Sequence, residues 1–96
     1  MRRTNTQTLG EAIKEYLKAM KIDDKMKEVQ LISSWEEIIG KTVARSTREI
    51  YIKKGKLFLH INSSVIRNEL LMIKDSLLKA MNERAGKNII DDIIIR

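Results

Sequence analysis

Ninety-six residues are enough for one domain with a modest core and too few for two, and 43% hydrophobic with 33% charged content fits a folded soluble chain. The absence of cysteine excludes a disulfide framework and any thiolate metal site. No apolar run reaches the length of a membrane span, and Met1-Arg2-Arg3 leads into polar residues, not an apolar signal core, so a cytoplasmic location without membrane partners is expected. The formal net charge of +6 leaves a polyanionic partner open.

Residues 1–7 are polar and are expected to form a flexible N-terminus, with one domain over 8–96. From Thr8 a helical period begins: Leu9, Ile13, Tyr16, Leu17 and Met20 share a face, and Thr8 with Glu11 forms a capping box. Such an amphipathic helix needs a partner surface, and its own domain is the expected one. Asp23-Asp24 reads as the next cap. The second helix then runs from about Lys25 to Ile39 with Val29, Ile32, Trp35 and Ile39 on one stripe. Trp35, the single tryptophan, reads as a core anchor, and Gly40 ends the helix. Lys41 to Thr47 continues helically, with Val43 and Ala44 inward.

Glu49 to Ile61 reads as a β-hairpin. Ile50 and Ile52 alternate with polar residues or tyrosine, as do Leu57, Leu59 and Ile61 with Phe58 and His60. Lys54-Gly55 supplies a two-residue turn. That loop pairs Lys53 with Lys56, Ile52 with Leu57, Tyr51 with Phe58, Ile50 with Leu59 and Glu49 with His60. Asn62-Ser63-Ser64 caps a third helix reaching Ala85, with Ile66, Leu70, Ile73, Leu77 and Met81 on one face, Leu71 and Leu78 beside them, and Gly86 as its stop. The isoleucine-rich end reads as a third strand over Asp92–Ile95, with Asp91-Asp92 on its entry turn. The expected fold is α+β in the order α-α-β-β-α-β, a small three-stranded sheet with helices on one face. If strands two and three are parallel, the long helix makes a right-handed crossover between them. This order resembles KH-like folds of the second type, although no G-x-x-G loop is present.

Charge is distributed unevenly. Residues 1–40 carry seven Lys/Arg and seven Asp/Glu, whereas 41–60 carry Lys41, Arg45, Arg48, Lys53, Lys54 and Lys56 against Glu49 alone. These cations beside Tyr51 and Phe58 form a candidate nucleic-acid surface, the lysines and arginines for phosphates and the rings for bases. The bland reading is a cross-strand aromatic pair with edge lysines that keep the strand soluble. Gly40-Lys41-Thr42 imitates the end of a P-loop, but Trp35 stands where the first glycine belongs. His60 opposite Glu49 reads as a surface pair because no nucleophile accompanies it, and Ser63 and Ser64 read as caps. Nothing points to catalysis, a metal, a cofactor or a small-molecule substrate.

Trp35-x-x-Ile38-Ile39-Gly40, Ala44, Thr47, Gly55-Lys56-Leu57-Phe58-Leu59 and Ser63-Ser64-x-x-x-x-Glu69-Leu70 together resemble the bacterial DciA family, from about Leu9 to the C-terminus. The resemblance implies a KH-like domain that binds DNA, single-stranded or forked, and assists loading or operation of the replicative DnaB-type helicase without being an enzyme. This chain departs from the family in having Ser46 where histidine is frequent, no proline after Thr47, and Ile66 where tryptophan is frequent. Many members add a flexible tail, whereas here the last strand runs to Arg96, so helicase contact is expected from the folded domain. Two other readings of the residues stand beside this one: an RNA- or ribosome-associated KH-like module, and a protein-interaction domain that pairs through Tyr51 and Phe58.

Overall fold

The computed structural model describes residues 8–96; the expected flexible segment 1–7, with Arg2 and Arg3, lies outside the described residues. The elements in chain order are α1 (Leu9–Ser33), α2 (Trp35–Ile39), α3 (Lys41–Arg45), β1 (Thr47–Lys53), β2 (Lys56–Ile61), α4 (Ser64–Met72), α5 (Lys74–Ala85) and β3 (Asp92–Ile95). The mixed α+β class and the strand positions agree with the sequence reading.

The sheet is ordered β1-β2-β3, antiparallel between β1 and β2 and parallel between β2 and β3. All five expected hairpin pairs are present, from Glu49 with His60 to Lys53 with Lys56. Lys54 at φ 51° and Gly55 at φ 76° both occupy the left-handed region that a type I′ turn demands. A Cβ on Gly55 would come within 3.2 Å of Asp91 Oδ2, and the Asp91 N–H donates to the Gly55 carbonyl at 2.7 Å. The turn is therefore tied to the entry of β3. Gly55→Ala is expected to cost about 1–2 kcal/mol from the backbone conformation alone, read as a lowered thermal midpoint. An unchanged midpoint would refute this account of the turn.

The buried residues of the sheet, Leu57, Leu59, Ile61 and Ile93, all lie on one face and pack with Leu31, Trp35, Leu70, Leu77, Met81, Ile89 and Ile90. Strict alternation along β1 would turn Arg48 toward this core, since Ile50 and Ile52 face it. A β-bulge prevents that: Glu49 pairs with His60, but it is Thr47 that pairs with Ile61. Thr47 thus takes the inward position while Arg48 stays exposed. The Thr47 hydroxyl accepts from Trp35 Nε1 at 2.9 Å and donates to the Val43 carbonyl at 2.8 Å. The buried indole is satisfied by this one contact.

Three helix expectations are corrected. Asp23-Asp24 does not divide two helices: α1 runs unbroken to Ser33, and the break falls at Ser34, just before Trp35. The two acids are used instead by Lys87, which bonds Asp24 and lies 3.8 Å from Asp23. That bond raises the Lys87 pKa above the usual lysine value against a smaller desolvation effect. The long third helix is two helices, α4 and α5, broken at Ile73 (φ −106°, ψ 14°). Ile73 at the break and Leu71 before it are both exposed, so neither joins the core.

The third correction concerns α1. Its capping box is present, with Thr8 and Glu11 bonded reciprocally, but among the described residues nothing covers the apolar face of its first half. Every residue from Leu9 to Asp23 is exposed. Only the second half packs, where Leu31 is buried and Lys27 Nζ donates to the Ala85 carbonyl at 3.1 Å. The result is a molecule 64 Å long and 19 Å across.

Candidate nucleic-acid interface

The sheet face opposite the core carries the candidate site. Strand alternation puts Tyr51 and Phe58 side by side there, with ring centroids 4.8 Å apart and planes 11° from parallel. Tyr51 is 38% exposed, while Phe58 is only partly so. Among the described residues no helix closes over Tyr51.

The parallel register adds a residue that sequence reading missed. Ile94 sits beside Phe58, and the ladder continues through Arg96, whose N–H donates to the Leu59 carbonyl at 2.9 Å. Two residues beyond Ile94, Arg96 returns to the same face, and its guanidinium lies 5.6 Å from the Phe58 centroid. Phe58 is thereby flanked by Tyr51 and Arg96, so the ring left for a ligand is that of Tyr51. The signal was present in the sequence, since aligning β3 with β2 in parallel puts Ile94 and Arg96 on the face of Phe58.

The cations divide into two groups. Lys53 and Lys54 are exposed at the hairpin tip. Lys56 is half-buried beside them but bonds Asp91 at 3.1 Å, so part of its charge is neutralised. Asp92, next in sequence, accepts from Lys74 at 3.0 Å, and this bond holds its carboxyl below the usual carboxylate range. Lys41, Arg45 and Arg48 are exposed at the other end of β1, with Arg48 about 16 Å of strand away from Lys53. Contiguous in sequence, the basic excess is thus split by the length of one strand. His60 Nδ1 and Glu49 Oε1 are 3.9 Å apart and exposed, a loose surface pair. Among the described residues no group of three or more His, Asp or Glu side chains is placed to hold a metal ion, and no helix is long and apolar enough to cross a membrane.

Most of the remaining anchor positions have structural roles. Trp35, Leu57 and Leu70 are core residues. Gly40, at φ 94°, joins α2 to α3, which also disposes of the P-loop imitation, because Gly40-Lys41-Thr42 links two helices. Ser63 Oγ accepts from the Ile66 N–H at 3.3 Å as the cap of α4. Ser64 and Glu69 are exposed, and the structure shows no contact that explains them.

A curated protein of Corynebacterium glutamicum (strain R), named "UPF0232 protein", is 36% identical over 63 residues. The match covers 66% of this chain and 35% of that protein, so it spans about a third of the length of this relative. No solved structure matches. The family described as "Dna[CI] antecedent, DciA" matches residues 8–95, essentially everything the structure describes. The chain belongs to the DciA family.

Proposed function

We propose that this protein is a non-enzymatic DNA-binding adaptor that acts with the replicative DnaB-type helicase, assisting its loading or operation. Family membership supports the replication role. The observation that carries the DNA part is the open sheet face, where an exposed tyrosine backed by Phe58 and Arg96 sits next to the lysines of the hairpin tip. A base stacks on Tyr51 while Lys53 and Lys54 meet the flanking phosphates, and Arg48, Arg45 and Lys41 extend the contact along β1. Lys56 contributes less because Asp91 shares its charge. Stacking needs an unpaired base, so single-stranded or forked DNA is the expected ligand.

Anisotropy titration of a labelled single-stranded oligonucleotide at several salt concentrations tests the reading. The logarithm of affinity is expected to fall linearly with the logarithm of salt. Tyr51→Ala is expected to weaken binding at every salt by about 5- to 100-fold, the worth of one base stacked on a ring, with the slope unchanged. No loss in this variant would remove the platform. Preference for structured RNA in direct competition would redirect the reading to an RNA-binding module. Failure to co-purify with the DnaB-type helicase of the same organism would remove the adaptor role.

A further inference from the structure

We infer that the exposed first half of α1 is a self-association surface, on which two copies of the chain pair antiparallel over Leu9–Met20. Leu9, Ile13, Tyr16 and Met20 are spaced by four, three and four residues, the seam of a two-stranded coiled coil. In the structure this seam is exposed: Leu9 is 76% exposed, Tyr16 65% and Ile13 48%. A lone helix with such a face is poorly served by water, and the domain's own core lies beyond its reach.

The pattern selects a second copy in one orientation. Antiparallel helices set each position of one type in the seam against the other type. Leu9 then meets Met20 of the second copy, and Ile13 meets Tyr16, so every large apolar residue of the seam has an apolar counterpart. The flanks are compatible as well. Leu17 falls against the open side of Gly10 from the second copy, and Ala12 against Ala19, which lets the helices approach closely. Glu11, Lys14, Glu15 and Lys18 lie away from the seam, so no charge is trapped. A parallel pair in register would instead carry the seam on into Asp23 and Lys27, facing each against its own kind. Those two are already engaged, Asp23 near Lys87 and Lys27 with the Ala85 carbonyl. Antiparallel pairing ends at Met20 and avoids both.

The overlap is about 18 Å of helix. Covering the five side chains in both copies removes on the order of 1,000 Å² in total, where specific but weak interfaces begin. The product is a two-fold symmetric dimer whose two sheet-bearing ends lie apart in an elongated particle. The pairing makes no use of nucleic acid, so it stands or falls apart from the DNA-binding reading.

Sedimentation across a concentration series, with DNA absent, reads the association directly. A concentration-dependent monomer–dimer equilibrium is expected for the full chain. Ile13→Glu/Tyr16→Glu, at positions outside the core, is expected to weaken it by at least a hundredfold while leaving the circular dichroism spectrum and melting midpoint of the monomer in place. Orientation is read from disulfide trapping, which the absence of native cysteine makes clean. Leu9→Cys mixed with Met20→Cys is expected to form a covalent dimer under mild oxidation, and neither variant alone should do so. A chain that stays monomeric, a dimer indifferent to the double variant, or ready cross-linking of either single variant with itself would each overturn the proposal.

Discussion

Lys53→Glu/Lys54→Glu is expected to lose at least tenfold in affinity for single-stranded DNA at moderate salt, and to flatten the salt dependence by about 1.4 in slope, two phosphate contacts at roughly 0.7 each. Both side chains are exposed at the hairpin tip and neither supports the core, so the effect belongs to binding and not to folding. Lys54 allows a sharper test. At φ 51° it occupies a conformation that favours asparagine or glycine in a type I′ turn. A lysine there carries a local backbone cost, and on the proposed reading that cost is offset by a cation placed at the tip. Lys54→Asn should therefore raise the melting midpoint slightly while weakening DNA binding. Those opposite signs cannot both arise from general damage to the fold. An affinity unchanged in the charge-reversed chain would exclude the tip from the interface.

The hairpin was fully legible in the sequence because what determines it is local. A period of two and a Lys-Gly turn leave one register that puts the aliphatic residues on a single face. The bulge was not legible, because its reason lies across the fold, where Trp35 needs an acceptor and Thr47 turns inward to provide it. The same distance effect hid the true end of α1. Asp23-Asp24 looked like a cap, but aspartate within a helix costs only some tenths of a kcal/mol, and Lys87, more than sixty residues on, supplies the compensating contact. The candidate site was legible as a list of side chains and not as an arrangement. Its cations were read as one patch, because nothing in the string of residues says that a strand will draw Arg48 away from Lys53. Arg96 was missed because its place beside Phe58 follows only from a parallel β3.

The family anchors carry a related lesson. Trp35 and Thr47 bond each other, Gly40 and Gly55 hold positive φ, and Leu57 and Leu70 fill the core. Most of what made the resemblance recognisable therefore specifies a fold, and little of it touches a ligand. The element order and the mixed α+β class follow from such anchors, whereas the contact residues had to be argued from exposure and geometry. The segment that lies farthest from these anchors is the exposed first half of α1.

Asn82 shows how much of the fold rests on a residue that no pattern singled out, and its replacement should have the largest effect on stability. In the last turn of α5, it folds back on the connection into β3. Its Oδ1 accepts from the N–H groups of Ile89 at 2.9 Å and Ile90 at 3.0 Å, and its Nδ2 donates to the Ile90 carbonyl at 2.8 Å. Ile89 and Ile90 are buried core residues, so their backbone groups enter the interior with the side chains and need partners there. Asn82→Ala leaves three such groups without one. Each buried unsatisfied group costs about 1–3 kcal/mol, and partial access of water at a half-buried site brings the expected total to about 2–4 kcal/mol. In a chain of this size each kcal/mol moves the midpoint by roughly 4–8 °C, so a fall of more than about 8 °C is expected in a thermal melt. Asn88→Ala, six residues on and exposed, provides the control and should stay within about 0.5 kcal/mol of the parent. Equal midpoints for the two variants would mean that the loop is held by its isoleucines alone. The expected difference means that the Asn82 amide, together with the ladder to β2, holds the entry of β3 and with it the placement of Arg96 beside Phe58.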